Sequence, residues 1–76
     1  MARLTPVDPR AMDRVLRQLG FVPVRQKGSH LFYRHPDGRT TTVPQHKGRD
    51  LAVPLVRAIV ADIRLSPDEF LRLLRS

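Results

Sequence analysis

The sequence contains no cysteine and no tryptophan, and only one tyrosine and three phenylalanines occur among its 76 residues. Without thiols the chain can form no disulfide, no thiolate zinc site and no cysteine nucleophile, which excludes a disulfide-stapled scaffold. No apolar run approaches the ~20 residues that cross a bilayer, and the first residues lack the apolar block of a signal peptide. These absences predict a soluble cytoplasmic protein without a membrane partner.

Acidic residues are also scarce, because seven Asp and Glu stand against fourteen Lys and Arg, for a formal charge of +7. In so short a chain this excess indicates a polyanionic partner, nucleic acid first, rather than a neutral metabolite. With 41% hydrophobic residues the chain is too apolar for a disordered basic tail. We expect a single domain over residues 1–76, with its core at about 8–65 and a short C-terminal helix at about 67–75.

Hydrophobic spacing and turn residues predict six short elements in the order α-β-β-β-α-α. Asp8 and Pro9 form a helix start, and Gly20 is a natural stop after the apolar stripe that follows them. Ser66 and Glu69 have the spacing of a capping box at the start of a last helix. The predicted elements are a helix over 9–19, strands over 21–25, 31–34 and 40–43, a helix around 54–63 and a helix over 67–75.

The predicted fold class is α+β, with a three-stranded antiparallel sheet and helices packed on one of its faces. Pro23 cannot donate a ladder hydrogen bond, which predicts that the first strand lies at an edge of the sheet or turns its Pro23 side outward, and makes it the candidate for an edge strand. On the second strand, His30, Phe32 and Arg34 share one face, and residues 31, 33 and 35 share the other. Neither set is cleanly apolar, but the greater polarity of the first set favours it as the face toward a ligand.

Positive charge and histidine concentrate in the middle of the chain. Six of the fourteen basic residues and only one acid lie between positions 25 and 49, as do all three histidines. A basic sheet that also carries Phe32 and Tyr33 as candidate stacking rings is typical of single-stranded RNA binding. An ordinary solvated basic surface explains the same charge, so charge alone leaves both interpretations open.

The sharper motif is Gly28-Ser29-His30, between the first two predicted strands. Gly28 lets the backbone turn sharply, Ser29 can bond an amide or a phosphate oxygen, and His30 begins a strand. A neutral imidazole there can take a proton from a ribose 2′-hydroxyl as it attacks the adjacent phosphate. The basic residues around it, Arg34 among them, can neutralise the charge that builds on the phosphorus centre. An ordinary surface histidine remains the alternative on these residues alone.

Five segments carry a family resemblance: GFVPVRQKGSH at 20–30, RHPDG at 34–38, TVP at 42–44, His46 and SPDEF at 66–70. Together and in this order they resemble the HicA family of toxin mRNA interferases, from about Asp8 to Leu74. A Gly-Ser-His alone is weak evidence, whereas its place between helix, strands, Val-Pro and helix is fairly specific. The chain departs from the commoner family pattern in Pro23 and in the residues before Asp8.

The resemblance implies a fold similar to the double-stranded-RNA-binding domain, ribonuclease activity on mRNA without a metal or other cofactor, and neutralisation by a HicB-type antitoxin. The catalytic histidine of the family follows a Gly-Ser pair and corresponds to His30. The basic residues of its first hairpin correspond to Arg25 and Lys27, to which we assign phosphate binding. Further RNA or phosphate contacts are expected from Gly28, Ser29, Arg34 and Lys47.

The other histidines and the tyrosine have plainer interpretations. His35 should point to the face opposite His30, in a structural or turn-associated role, and His46 is expected in a solvated loop. Tyr33 suits the core better than the role of a general acid. A three-histidine zinc site has little support, because spacings of five and eleven residues match no compact ligand motif.

The sequence therefore predicts an endoribonuclease toxin with His30 as general base and an unidentified acid for the leaving group. The alternative is a non-catalytic RNA-binding module that uses the same basic face. Binding of operator DNA by this chain alone lacks support, because the predicted helices show neither a helix-turn-helix join nor a basic recognition face.

Overall fold

Residues 3–76 are described by the computed structural model, and they form six elements in the predicted order. The elements are α1 (Pro9–Gln18), β1 (Val22–Lys27), β2 (His30–Arg34), β3 (Thr40–Pro44), α2 (Val53–Asp62) and α3 (Pro67–Arg75). The α+β class with a three-stranded antiparallel sheet is confirmed, and it agrees with the expected likeness to the double-stranded-RNA-binding domain. Among the described helices, none has the length and hydropathy needed to cross a membrane.

Local signals place both ends of α1. The side chain of Asp8 accepts a hydrogen bond from the backbone N–H of Arg10 at 2.8 Å, and Pro9 stands at the first helical position, where an N–H has no partner. This hydrogen bond lowers the pKa of the Asp8 carboxyl below its usual value, and a hydrogen bond from the Arg10 guanidinium adds a smaller lowering. After Leu19 the chain turns through Gly20, whose φ of +100° would strain a residue with a side chain.

A capping box begins α3, as the sequence predicts. The hydroxyl of Ser66 accepts from the N–H of Glu69 at 3.1 Å, and the Glu69 carboxylate accepts from the N–H of Ser66 at 3.0 Å. At the C-terminal end of α3, the Arg14 guanidinium of α1 donates to three backbone oxygens. The acceptors are those of Leu74 at 2.7 Å, Ser76 at 3.0 Å and Leu73 at 3.4 Å. Phe70, on the inner side of α3, is fully buried. The last helix is therefore built into the core.

The strands pair antiparallel in the order β1-β2-β3, which confirms the edge position predicted from Pro23. Pro23 lies opposite Tyr33, and the register then skips Val24 so that Arg25 faces Phe32. This β-bulge reverses the alternation of the strand. Without it Arg25 would share the face of Pro23 and Tyr33, whereas with it Arg25 stands on the opposite face.

The first hairpin is tighter than the sequence indicates. β1 begins at Val22 rather than Phe21 and continues through Lys27. Phe21 precedes the strand and is fully buried in the core. Gly28 has a φ of +58°, and Lys27 pairs with His30, so only two residues form the turn. A glycine at the first of two turn positions is typical of the hairpin turns that match the twist of the strands.

The helices cover one face of the sheet and leave the other open to solvent. Tyr33 and Val43 point from the sheet toward the helices, and both are almost fully buried. The fully buried side chains of the helical layer are Met12, Val15, Leu16, Val56, Ile59, Ile63 and Phe70. Burial of one sheet face against amphipathic helices drives this arrangement, and it leaves the second face for function.

Candidate functional site

The uncovered face of the sheet carries nine side chains in three rows, and we refer to it as the open face. Its first row is Lys27, His30 and Pro44, its second is Arg25, Phe32 and Thr42, and its third is Val22, Arg34 and Thr40. The rows follow from the register, because directly paired residues of antiparallel strands point to the same side. The first row lies next to the Gly28-Ser29 turn.

The charge of the open face has one sign. Arg25, Lys27 and Arg34 are all exposed, and none of the nine residues is acidic. The predicted outward orientation of residues 30, 32 and 34 is confirmed, since Tyr33 on the opposite side is only 1% exposed. Like charges held side by side on a rigid sheet attract a polyanion.

His30 is the first residue of β2 and is exposed. It lies between Lys27 on one neighbouring strand and Pro44 on the other. Side chains directly opposite each other in an antiparallel pair have Cβ atoms ~4.5–5.5 Å apart, so the side chains of Lys27 and His30 leave the sheet next to each other.

The turn before His30 presents free backbone groups. A Cβ placed on Gly28 would meet no atom within 4 Å, so the space above the turn is open. The side-chain amide of Gln26 donates to the carbonyl of Gly28 at 3.2 Å, and the carbonyl of Ser29 accepts from the N–H of Gln45 at 2.6 Å. Both bonds fix the turn without using the N–H groups of Gly28 and Ser29, which can donate to an anion.

Lys47 does not lie on the open face but in the connection between β3 and α2. This connection and the start of α1 enclose a surface cavity of about 630 Å³. Reciprocal backbone hydrogen bonds of 2.7 and 3.1 Å between Val7 and Leu51 hold its two walls together. The charged and histidine side chains of its lining are Asp8, Arg10, His46, Lys47, Arg49 and Asp50. The bond from Gln45 to Ser29 joins this loop to the turn beside His30.

Arg34 shares the open face with His30 but stands two rows away. Four residues along a strand span ~13 Å, so a phosphate held at His30 is closer to Lys27 and to Arg25. The register therefore separates Arg34 from His30 by two rows of the open face.

Arg39 is one of the six basic residues between positions 25 and 49, and its side chain is bonded within the fold. Its guanidinium donates to the carbonyl of Ile63 at the end of α2, and it pairs with Asp37 at 2.8 Å. The guanidinium carbon also lies 5.1 Å from the ring centroid of Phe21. With its side chain 20% exposed, Arg39 adds little charge to the open face.

His35 and Tyr33 point away from the open face, as the sequence predicts. The Nε2 of His35 lies 3.0 Å from the carbonyl oxygen of Leu19, and its Nδ1 accepts from the N–H of Asp37 at 3.1 Å. The Tyr33 hydroxyl donates to Asp13 at 2.5 Å. Burial, and then this hydrogen bond, raises the pKa of Tyr33. Tyr33 is therefore a core residue and not a stacking ring.

The three histidines do not come together. His30 stands on the open face, His35 lies on the covered side, and His46 lines the cavity. Between residues 3 and 76, no three His, Cys, Asp or Glu side chains are grouped so that they could hold a metal ion. The three-histidine arrangement is therefore not formed.

Two features of the open face are missed by sequence reasoning. The guanidinium carbon of Arg25 lies 4.8 Å from the ring centroid of Phe32, within the range of a cation–π contact. Thr42 is paired directly with Phe32 from β3, the neighbouring strand on the other side. Alternation of side chains along β3 could have placed Thr42 on the open face. Alternation along β1 gives the wrong face for Arg25, because the bulge at Val24 interrupts it.

Comparison with protein-family models gives a match over residues 9–65, to a family described as the HicA toxin of bacterial toxin–antitoxin systems. The matched part runs from the start of α1 past the end of α2, so it contains the whole open face, the Gly28-Ser29 turn and the loop of Lys47. α3 follows the matched part. A search of curated proteins gave no match.

Proposed function

This chain belongs to the HicA family of toxins from bacterial toxin–antitoxin systems, and we propose that it exerts its toxicity as an endoribonuclease that cuts mRNA. The observation that carries the proposal is the first row of the open face, where the exposed residues His30 and Lys27 are directly paired on neighbouring strands. The site would act in the cytoplasm, where mRNA is found.

His30 acts as the general base in this proposal. Its neutral imidazole takes the proton of a ribose 2′-hydroxyl, and the 2′-oxygen attacks the adjacent phosphorus. The bond from phosphorus to the 5′-oxygen of the next nucleotide breaks, which leaves a 2′,3′-cyclic phosphate and a 5′-hydroxyl. The leaving oxygen takes a proton from water, and the protonated His30 gives its proton to the hydroxide so formed, which restores the neutral imidazole. The nucleophile belongs to the substrate, so these steps call for no cofactor.

The basic residues hold the substrate and stabilise the charge that develops during attack. Lys27 lies closest to His30 and is assigned to the scissile phosphate, with Arg25 in the next row. The free N–H groups of Gly28 and Ser29 can donate to the same phosphate. Arg34, which lies two rows from His30, and Lys47, which lies in the loop after β3, are assigned to neighbouring phosphates of the strand.

An antitoxin partner follows from the family, and we propose that it is of the HicB type and masks the open face. The open face carries three exposed positive charges and no acid, so the masking surface should be acidic. An antitoxin that binds here would block the chemistry and the substrate at once.

Purified protein should cleave single-stranded mRNA, and cleavage should continue in excess EDTA because the proposed steps use only an imidazole and the substrate's own hydroxyl. The measurement follows fragment formation with and without the chelator. Loss of all cleavage in EDTA, with recovery on addition of zinc or magnesium, would contradict this mechanism. Tight RNA binding without any cleavage would instead favour the non-catalytic RNA-binding module.

RNA binding should weaken steeply as salt rises. If Arg25, Lys27, Arg34 and Lys47 each neutralise one phosphate of a single strand, the slope of log affinity against log salt is about −3, at ~0.7 for each contact. Arg34→Ala should make the slope shallower by ~0.7. Arg57→Ala is the matched control, because Arg57 is exposed on α2, among the helices of the covered side. An unchanged slope in Arg34→Ala would remove Arg34 from the binding surface.

A further inference from the structure

Phe32 has a different environment from the other two phenylalanines. Phe21 and Phe70 are fully buried, whereas Phe32 is half-buried on the open face and does not belong to the hydrophobic core. Its partner within the fold is the guanidinium of Arg25, which also lies on the open face. The ring and the guanidinium therefore both stand where a ligand of the open face can contact them.

We propose that the second row of the open face is a stacking site for one unpaired base of the RNA substrate. This inference rests on the proposed ribonuclease function. Arg25 lies over the Phe32 ring, with its guanidinium carbon 4.8 Å from the ring centroid. Bases of single-stranded RNA stack on aromatic rings and on guanidinium planes, so ring and guanidinium together offer one platform. Thr42, paired with Phe32 from β3, adds a hydroxyl to the same row, and a hydroxyl can donate to or accept from a base edge.

The platform lies one row from His30. Two residues along β2 separate the rows by ~6.7 Å, which is about twice the ~3.4 Å rise of each strand in a double helix. A base on Phe32 and the ribose hydroxyl at His30 can therefore belong to neighbouring nucleotides only if the strand is splayed. The site selects an unpaired nucleotide, because a paired base keeps its faces inside the helix.

The base is favoured over an apolar protein segment because of the surroundings of the ring. Three exposed cations surround Phe32 on the open face, and no acid lies among them. A nucleotide satisfies both features, since its base stacks while its phosphate binds the cations. An apolar peptide would cover the ring and leave the charges without a partner.

The test uses the absence of tryptophan from the chain. In a His30→Ala background, which binds RNA without cutting it, F32W introduces a single indole at the platform. Single-stranded RNA should quench its emission strongly, because the base stacks on it. Duplex RNA of the same sequence and inorganic polyphosphate, a base-free polyanion, should bind with little quenching. A61W in the same background is the control, since Ala61 is exposed on α2.

Affinity gives a second measurement. F32A in the His30→Ala background should weaken single-stranded RNA binding by about 5- to 150-fold, the usual effect of removing one stacked ring, while polyphosphate binding stays unchanged. Circular dichroism and thermal unfolding check that the half-buried position tolerates the change. Equal quenching of F32W and A61W, or unchanged RNA affinity in F32A, would overturn the stacking site and leave the ribonuclease proposal standing. Failure of the His30→Ala protein to bind any RNA would overturn both.

Discussion

Replacing His30 by alanine should lower the rate of RNA cleavage by about 10²- to 10⁴-fold, the usual share of general acid–base catalysis, while RNA affinity changes by only a few-fold. The ring is exposed and makes no contribution to the core, so its loss should leave the fold intact. Lys27 and Arg25 remain to hold the strand. Single-turnover cleavage and equilibrium binding of the same RNA measure the two effects separately.

His46→Ala is the matched control for this substitution. His46 is also an exposed histidine in the basic region, but it lines the cavity beyond β3 and does not stand on the open face. Its loss should change the cleavage rate far less than the loss of His30. If the His30→Ala protein, purified in the same way, cuts RNA as fast as the parent, the imidazole is not the base.

Replacing Phe70 by alanine should lower the free energy of unfolding by about 3–5 kcal/mol, the usual cost of removing a fully buried phenylalanine. Typical domains have a free energy of unfolding of about 5–15 kcal/mol, of which this loss is a large part. The variant should therefore be largely unfolded at elevated temperature. The Phe70→Ala substitution tests whether α3, which follows the matched family region, unfolds together with the rest of the domain. Urea unfolding followed by circular dichroism measures it.

Arg72→Ala provides the comparison on the same helix. Arg72 is exposed, and surface substitutions away from special features change stability by about 0.5 kcal/mol or less. A loss below about 1 kcal/mol in Phe70→Ala would mean that Phe70 adds little to the packing of α3 on the rest of the domain, and it would contradict a last helix built into the core.

The helices were predictable because their signals are local. Asp8-Pro9 and the Ser66–Glu69 capping box act within one turn of the chain, and the structure shows both caps as expected. The apolar spacing along each helix then indicated the side that packs inward. The same locality explains Gly28, because a glycine between two β-type segments predicts a turn without knowledge of the remaining fold.

The arrangement of the open face depended on contacts that no local pattern contains. Strict alternation from Pro23 would place Arg25 on the covered side, and only the pairing of β1 with β2 creates the bulge at Val24 that turns it outward. The role of Arg39 was also hidden, because its partner Ile63 lies 24 residues away in the chain. Total charge therefore overstated the basic residues available to a ligand.

The candidate site was predictable where the residue type itself limits the chemistry. Strand alternation already placed His30 and Phe32 on one face, whereas the role of His30 as general base is a prediction that comes from the family resemblance. The separation of Arg34 from His30 follows from simple counting along β2. The cavity around Lys47 could not be predicted, because it needs the bridge between Val7 and Leu51 to bring two distant segments together.

The chemical ends of the RNA fragments test most directly the claim that His30 activates a hydroxyl of the substrate itself. Mass spectrometry of the products should find 2′,3′-cyclic phosphates on the upstream fragments and 5′-hydroxyls on the downstream ones, and a strand with 2′-deoxy sugars should bind and remain whole. Fragments that end in a 3′-hydroxyl and begin with a 5′-phosphate, or cutting of the 2′-deoxy strand, would contradict it.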